Sequence, residues 1–300
     1  MRLSCTKSFT VNPMCSASVS TWIHYAMGPL IQELDITLYT IHHYYFSFPN
    51  NLSECSNLVS LSLKGAFCFA RSWAKSFSLP SLKKMVLDIC GIDVDCLNAF
   101  LEGCPCLETM DFYWYVEDYG TICVLPLCLP TSLKTLKIVV LKHLRLRSSA
   151  TKRLRRDVAQ LYFLKFDNLL HLNLNLLRFN SNFIMSLFQI CHSLKVLIIQ
   201  SDEEVCNDKE EQSSLSKWVA QPSVPSCLES HLNFIQFKGY RGFTDELYFA
   251  EYILQKGCVL KTMIISDIST DLKEKFDTLK RLSNVSRAST MCQLKYLSKD

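Results

Sequence analysis

A hydrophobic motif of the form L-x-x-L-x-L returns along this chain of 300 residues at a nearly constant spacing. The first apolar position of each copy is Ile31, Leu58, Leu82, Leu107, Leu133, Leu169, Leu194, Leu232 and Leu260. Most copies are 24 to 28 residues apart, whereas two steps of 36 and 38 residues require insertions. A fixed period of about 20–29 residues predicts a solenoid in which each repeat buries its apolar row against its neighbours.

The period matches a leucine-rich repeat, so the predicted fold class is α/β. Parallel strands are expected on the concave side of the solenoid, with helices and irregular turns on the convex side. Because side chains alternate along a strand, the first, fourth and sixth motif residues should point into the core, as in Leu58, Leu61 and Leu63. An ordinary α/β sheet is the alternative, but it explains the even spacing less well.

The segment Phe100–Phe112 predicts the end of a helix, a tight turn and a strand. Its turn contains Cys104 and Cys106, which are separated by one residue, and Cys123 and Cys128 are separated by four. Neither pair has a partner pair at zinc-finger spacing. We therefore expect buried thiols at a repeat turn rather than a metal site, and no cofactor.

The fifteen cysteines bear on the cellular compartment. Their number is odd and their spacing matches no small disulfide-stabilised domain, so free thiols in a reducing compartment, the cytoplasm or the nucleus, are favoured. The net charge of +4 does not by itself indicate a polyanionic partner. Without a run of about 18 apolar residues, no membrane partner is expected.

Shifts in composition divide the chain into predicted regions. These are an N-terminal remnant (1–15), a leucine-rich-repeat solenoid (16–200) with a basic insertion (142–157), an acidic polar linker (201–225) and a C-terminal module (226–300) that continues the solenoid. The two long steps between motifs fall in the basic insertion and in the linker, which supports the register.

The basic insertion contains seven lysines or arginines and one aspartate. A candidate nuclear-import cluster within it comprises Lys152, Arg153, Arg155 and Arg156. Nucleic-acid binding is a weaker interpretation, because aromatic side chains that would stack on bases are absent from the insertion. A solvated helical face with its leucines turned inward is the favoured structural alternative.

The outward positions of the predicted strands form a candidate protein-binding concave face. Its residues are Glu33, Asp35, Ser60, Ser62, Lys64, Lys84, Asp88, Thr109, Asp111, Tyr113, Thr135, Lys137, His171, Asn173, Asn175 and Gln200. Solenoids bind partners on such extended inner surfaces. The face is acidic at its N-terminal end and mixed in the middle, so no ligand of a single charge is indicated. A hydrated polar face without a partner is the alternative.

Catalysis is not indicated by any grouping in the sequence. The seven histidines are scattered, no Ser/His/Asp arrangement is evident, and the eight glycines form no phosphate-binding loop. We therefore expect no enzyme, although a site formed only in three dimensions is a distant alternative. The aromatic patch of Tyr44, Tyr45, Phe46 and Phe48 is expected to be core under a long loop more often than an interaction edge.

Residues 226–265 carry a more specific pattern. A strand ending in FKGYRG is followed by an acidic helix start at Asp245 and Glu246, a helix closed by Gly257, and a strand from Leu260 to Ile265. This order resembles the FBD module of plant F-box/leucine-rich-repeat proteins, and the likeness extends over roughly residues 9–297. The later segment from Asp271, with a closing helix and a short last strand, resembles the same family.

The resemblance implies a substrate receptor for ubiquitination. In that family an F-box, a small helical unit ahead of the repeats, docks on the adaptor subunit of a cullin–RING ubiquitin ligase. No F-box-like segment precedes the helix expected at Ser16, so we expect either an N-terminally incomplete version or an F-box-less paralogue. The expected partner is a protein target, with the ligase adaptor added only if an F-box lies upstream. The alternative function is a regulatory or decoy interaction protein without ligase activity.

Overall fold

The computed structural model of the chain forms two compact units. The first contains residues 1–118, 124–147 and 162–164, and the second contains residues 119–123, 148–161 and 165–300. Within them, the structure describes residues 3–5, 21, 25, 27–28, 30–38, 46–47, 52, 55–65, 67–68, 78–89, 94–116, 127–142, 166–177, 179–201, 218, 223–267 and 272–298.

The first unit contains a parallel sheet whose strands follow one another in chain order. Its elements are β1 (Leu3–Cys5), β2 (Glu33–Leu38), β3 (Phe46–Ser47), β4 (Ser60–Gly65), β5 (Phe67–Cys68), β6 (Lys84–Ile89), α1 (Val94–Glu102), β7 (Thr109–Val116) and β8 (Thr135–Lys142). Strands β1, β2, β4, β6, β7 and β8 pair in that order, while β3 and β5 form a separate parallel pair.

The second unit is also built on a parallel sheet, and most of its strands are separated by helices. Its elements are β9 (His171–Leu176), α2 (Ser181–Ile190), β10 (Val196–Ser201), α3 (Ser226–Ser230), β11 (Phe234–Tyr240), α4 (Thr244–Lys256), β12 (Thr262–Asp267), α5 (Leu272–Ser283) and β13 (Gln293–Ser298). Strands β9 to β13 pair in sequence order. No helix among the described residues is long and apolar enough to cross a membrane.

The repeat motif predicts the core correctly. All nine first-position residues, from Ile31 to Leu260, are at most 9% exposed. The fourth and sixth positions are buried too, as Met110 and Phe112 show in β7. Burying one such side chain contributes roughly 1.5–3 kcal/mol, so the repeated rows supply much of the stability of each unit. The predicted parallel α/β architecture is therefore confirmed.

A recurring backbone bond keeps neighbouring strands in register. The carbonyl of Val59 accepts the N–H groups of Lys83 and Lys84 at 2.9 and 3.1 Å, just before β6 begins. The carbonyl of Lys83 in turn accepts the N–H groups of Glu108 and Thr109 at 2.9 and 3.0 Å. Since a one-residue slip would turn every apolar side chain to the other face, this repeated contact and the buried rows reinforce each other.

Several sequence predictions lie mostly or wholly outside the described residues. These are the helix at 16–28, of which Thr21 and Tyr25 are described as helical, most of the aromatic patch, the nuclear-import cluster and most of the acidic linker. Within the predicted remnant at 1–15, Leu3–Cys5 form strand β1 and pair with β2, which the sequence did not predict. The predicted domain boundaries otherwise stay predictions.

Candidate protein-binding surface

Each sheet has a core face, which carries the buried rows, and an outer face, which carries the alternate side chains. All sixteen residues of the predicted concave face lie on outer-face positions and are exposed or partly exposed. The first unit holds those from Glu33 to Lys137, and the second holds His171, Asn173, Asn175 and Gln200. These side chains alternate with the buried rows along each strand, while their assignment to a protein-binding concave face stays a prediction.

Parallel pairing aligns the outer-face residues of the first unit into rows that cross the strands. One row runs Glu33, Ser60, Lys84, Thr109 and Thr135, the next Asp35, Ser62, Val86, Asp111 and Lys137, and a third Thr37, Lys64, Asp88, Tyr113 and Val139. Neighbouring strands are about 4.8 Å apart, so side chains along a row are close neighbours. Each row contains at least one acidic and one basic group, so the face carries both signs of charge.

Two contacts fix the aromatic part of this face. The hydroxyl of Tyr115 donates a hydrogen bond to Asp88 Oδ1 at 2.5 Å. Lys137 Nζ donates to the hydroxyl of Tyr113 at 3.3 Å and lies 5.4 Å from the centre of its ring. Asp88 and Lys137 are therefore each held by a tyrosine of an adjacent strand. Because their rotamers are already restricted, these two side chains lose less conformational entropy when a partner binds.

Some outer-face polar atoms are buried without a partner in the described part of the chain. They are Asp35 Oδ1 and Ser62 Oγ in the first unit and Asn175 Oδ1 in the second. Asp35 and Ser62 are directly paired residues on β2 and β4. A buried polar atom without a hydrogen bond is costly, and a water molecule or a polar group of a partner would satisfy these atoms.

The outer face of the second unit is different, because apolar side chains stand between its amides. Val196 and Ile198 on β10, Phe234 on β11 and Ile264 on β12 are all partly exposed there. The sequence prediction missed them, since it selected polar outward residues only. Their signal was present in the sequence as the unbroken apolar run from Val196 to Ile199, which puts apolar groups on both faces of a strand.

Helix α4 is anchored to helix α2 by a carboxylate. Asp245 Oδ1 accepts the hydroxyl proton of Ser181 at 2.5 Å, and Asp245 Oδ2 accepts the backbone N–H of Ser181 at 3.1 Å. The neighbouring Asn180 caps α2 through its side-chain oxygen, which accepts the N–H of Phe183 at 3.0 Å. A carboxylate at a helix N-terminus is favoured by the helix dipole, and Ser181 is fully buried.

Glu246 holds the turn between β11 and α4. Its Oε2 accepts the N–H of Arg241 at 2.9 Å and the N–H of Phe243 at 3.2 Å. Gly239 and Gly242 adopt positive φ angles of 76° and 78°, which favour glycine and let the turn wrap over the carboxyl group. Glu246 is 2% exposed, and burial raises its pKa to about 7 despite the opposing effect of these N–H donors.

An aromatic cluster lies beneath this turn. The ring of Phe249 is 5.6 Å from that of Phe179, 5.7 Å from Phe237, 6.1 Å from Phe188 and 6.1 Å from Trp218. Most of these pairs are edge-to-face or tilted, arrangements that add about 0.5–1.5 kcal/mol each beyond the burial of area. Phe249 is completely buried, so the cluster fastens α4 to the sheet.

The closing helix α5 is joined to α4 near the surface. Arg281 donates two hydrogen bonds to the carboxylate of Glu251, at 2.5 and 3.0 Å, and lies 5.3 Å from the ring centre of Tyr248. After this helix, Arg287 donates to the carbonyl of Cys292 at 2.7 Å and leads the chain into β13. Such exposed ion pairs stabilise by at most about 1 kcal/mol, so they orient α5 more than they stabilise it.

Two segments of the chain match known families. Residues 19–129 match the LRR repeats of the FBD-associated F-box protein At5g56370, and residues 221–265 match the FBD family. The chain is 27% identical over 323 residues to the Arabidopsis thaliana FBD-associated F-box protein At5g56820. This alignment covers 89% of the chain and 72% of the relative. The chain is also 26% identical over 343 residues to the Arabidopsis thaliana F-box/FBD/LRR-repeat protein At4g26340, covering 95% and 80%. Over most of its length the chain is therefore similar to F-box/FBD/leucine-rich-repeat proteins.

The two matches cover different parts of the described structure. The LRR match covers β2 to β7 of the first unit, and the FBD match runs from before α3 to the middle of β12. The FBD segment thus contains Asp245, Glu246 and Phe249, the residues that anchor α4. It also supplies Phe234 and Ile264 to the outer face of the second unit.

The expectation of buried thiols at the repeat turn is correct for Cys104 and wrong for Cys106. The thiol of Cys104 is fully buried and donates to the carbonyl of Phe100 at 3.2 Å, whereas Cys106 is exposed. Burial raises the pKa of Cys104 to about 12, which keeps it a thiol and a poor ligand. Within the described residues, no three His, Cys, Asp or Glu side chains meet in a group that could hold a metal ion.

Proposed function

We propose that this chain is a non-enzymatic protein-binding scaffold and the substrate-recognition part of an F-box-type ubiquitin-ligase receptor. The observation that carries the proposal is the pair of outer faces, on which ordered rows of partly exposed side chains are presented by rigid parallel strands. Relatives that cover most of this chain are named F-box proteins, which supports a link to ubiquitination. The outer faces would bind a target protein, and the ligase adaptor would be a partner only if an F-box is present upstream in the full protein.

A location in the cytoplasm or nucleus is part of the same proposal. Free thiols such as Cys191 and Cys227 support it, because unpaired cysteines are typical of proteins from reducing compartments. The nuclear-import cluster at 152–156 would decide between the two compartments. A fluorescent fusion of the chain, compared with a variant whose four basic residues there are alanine, tests this part; equal nuclear fractions for both would contradict import through the cluster.

Proximity labelling of the full-length transcript product in plant cells tests the function. The product is fused to a biotin-transferring enzyme and compared with a variant carrying charge reversals on both outer faces, Asp111→Lys and Lys238→Glu. We expect at least one protein to be labelled by the unmodified fusion and not by the variant. Ligase subunits should co-purify with the unmodified product.

The half-life of that labelled protein separates a receptor from a decoy. If the chain delivers targets for ubiquitination, raising its level should shorten the half-life of the labelled protein, and a proteasome inhibitor should restore it. A lengthened half-life without co-purifying ligase subunits would contradict the receptor and favour a decoy. Labelling that is identical for the variant would contradict binding through the outer faces.

A further inference from the structure

The outer face of the second unit has a chemistry that the charged rows of the first unit lack. Its middle row runs Asn173, Ile198, Gln236, Ile264 and Lys295, and the row before it runs His171, Val196, Phe234, Thr262 and Gln293. The third row is Asn175, Gln200, Lys238, Ser266 and Leu297. Four apolar side chains on β10, β11 and β12 thus form one continuous patch, which we call the apolar patch (Val196, Ile198, Phe234 and Ile264).

The apolar patch is small but well placed for binding. Adjacent strands are about 4.8 Å apart and successive outer-face residues about 7 Å apart, so the patch spans roughly 10 by 7 Å. That extent accommodates two or three apolar side chains of a bound segment. The patch sits on strands of a rigid sheet, and the core beneath it is fully buried at Ile235 and Leu197. Little conformational entropy is therefore lost by the protein when this surface is covered.

The charges around the apolar patch are of one sign. Of the fifteen described outer-face positions on β9 to β13, none is Asp or Glu, while Lys238 and Lys295 are both exposed. Lys295 is paired directly with Ile264, and Lys238 follows Gln236 by two residues on the same strand. If a partner carries a carboxylate beside its apolar side chains, that carboxylate can pair with a lysine of this face and is not repelled by an acidic residue of the same face.

Amide side chains complete the surface. Asn173 and Gln236 flank Ile198 on its two neighbouring strands. Each amide offers donors and an acceptor, so together they can satisfy the backbone N–H and C=O groups of a peptide that lies on the patch. Desolvating peptide groups without such partners would cost binding energy.

We infer that the outer face of the second unit binds a protein segment in which two or three apolar side chains adjoin one or more carboxylates. The apolar side chains cover the apolar patch, the carboxylates pair with Lys238 and Lys295, and the amides bind the backbone of the segment. This rests on the proposed function and specifies which surface recognises the target and what chemistry the target presents. The outer face of the first unit carries both signs of charge, so it does not favour partners of one charge in the same way.

Selection of peptides on the purified full-length chain tests the inference. Random twelve-residue peptides displayed on phage are selected for binding, and the leading peptides are synthesised with a fluorescent label. We expect them to combine apolar residues with Asp or Glu. Replacing the acidic residues of the leading peptide by Asn or Gln should weaken its binding about tenfold or more, and added salt should weaken the original peptide most.

Three variants of the chain locate the binding site. Ile198→Lys tests the patch, the pair Lys238→Glu and Lys295→Glu tests the charges, and the pair Glu108→Lys and Lys134→Glu, an exposed ion pair of the first unit, is the matched control. Each second-unit variant should weaken the leading peptide about tenfold or more, and the control should change it less than about twofold. Because the two lysines are exposed, that double variant should fold even if Ile198→Lys does not, as circular dichroism will check.

Several other outcomes would contradict the inference, and its failure can be told apart from a failure of the proposed function. Absence of selectable peptides, selection of basic peptides, or binding lost only in the first-unit control would each contradict this surface and this chemistry. The inference would also be contradicted if the chain formed a dimer that the Phe234→Lys variant does not form, or if it bound RNA and this binding depended on Lys238. If the cellular target is still labelled by the Lys238→Glu and Lys295→Glu variant, the inference fails while the scaffold function stands.

Discussion

The middle outer-face row of the first unit contains three ionisable side chains, whereas the corresponding row of the second unit contains one. The first is Asp35, Ser62, Val86, Asp111 and Lys137, and the second is Asn173, Ile198, Gln236, Ile264 and Lys295. Both rows are displayed by in-register parallel strands over a leucine-rich core. The repeat therefore constrains only the core face, and the outer face is free to carry the chemistry of recognition.

The interiors of the two units differ as well. The buried polar residues found in the described parts of the chain, Ser181, Glu246 and Ser289, all belong to the second unit. The first unit is held by its apolar rows and backbone bonds, while the second unit adds an aromatic cluster and two specifically bonded carboxylates. Directional contacts of this kind fix how α4 is placed, which apolar burial alone does not do.

Removal of the central ring of the aromatic cluster should be the most damaging change. Phe249→Ala leaves a cavity among four other rings, and we expect the free energy of unfolding to fall by about 3–5 kcal/mol. Urea denaturation followed by circular dichroism measures it, with Tyr248→Ala, at a 42% exposed neighbour on the same helix, as the control. A loss below about 1 kcal/mol for Phe249→Ala would show that the cluster does not anchor α4.

The equivalent test in the first unit is Leu107→Ala. Leu107 is completely buried at the first position of its repeat, so truncation should cost about 2–5 kcal/mol. Hydrogen exchange should show the weakened protection in β6 to β8, whereas Phe249→Ala should act on β11 and β12. A loss below about 0.5 kcal/mol would be incompatible with the repeat register.

The sequence predicts the core well because the core is periodic. Every repeat must bury the same positions, so one motif locates nine strands, and alternation gives the direction of their side chains. Strand β1 was missed because Leu3–Cys5 is too short to show a period. The apolar patch was missed because outward residues were assumed to be polar, although the double-sided apolar run at Val196–Ile199 indicated otherwise.

The anchoring contacts could not be predicted from the sequence because they join distant residues. Asp245 and Ser181 are 64 positions apart, and nothing in the local pattern at either residue indicates the other. The acidic start of α4 was expected from Asp245 and Glu246, but an acidic start is usually solvent-exposed. Burial of Glu246 depends on the turn with its two positive-φ glycines, which is a tertiary feature.

Glu246 should make the second unit sensitive to pH in a way that the first unit is not. Burial raises its pKa in the folded protein to about 7, above the value of 4.5 for a solvent-exposed glutamate, so folding favours the neutral form. Its contribution to stability is fully present below about pH 4.5 and is lost as the pH rises through about 7. Relative to Glu246→Gln, the unmodified chain should lose about 3 kcal/mol across this range.

Urea denaturation of both proteins between pH 4 and 8 measures this difference, since other titrating groups are common to the two. Gln255→Ala, at an exposed and uncharged position of the same helix, is the control and should leave the pH dependence of the unmodified chain unchanged. A difference between Glu246→Gln and the unmodified chain that does not change with pH, or that changes in the opposite direction, would contradict a raised pKa for Glu246.

Loss of the carboxylate that joins α4 to α2 should have an intermediate effect. Asp245→Asn keeps one acceptor but removes the charge from the N-terminus of α2 and cannot accept both Ser181 bonds equally well. We expect a loss of about 1–3 kcal/mol, because Ser181 is buried and would be left poorly bonded. Asp277→Asn at an exposed position of α5 is the control, and an equal effect of the two would refute the anchoring role.

Outer-face substitutions in the first unit should affect stability least. Thr109 and Asp111 alternate with the buried Met110 and Phe112, and their side chains are partly exposed on β7. Replacing both by serine and asparagine should change the free energy of unfolding by no more than about 0.5 kcal/mol each, because surface substitutions rarely do more. If the double variant instead unfolds at a much lower temperature by circular dichroism, these positions would contribute to the core, and the division into a buried core face and a freely variable outer face would not hold for the first unit.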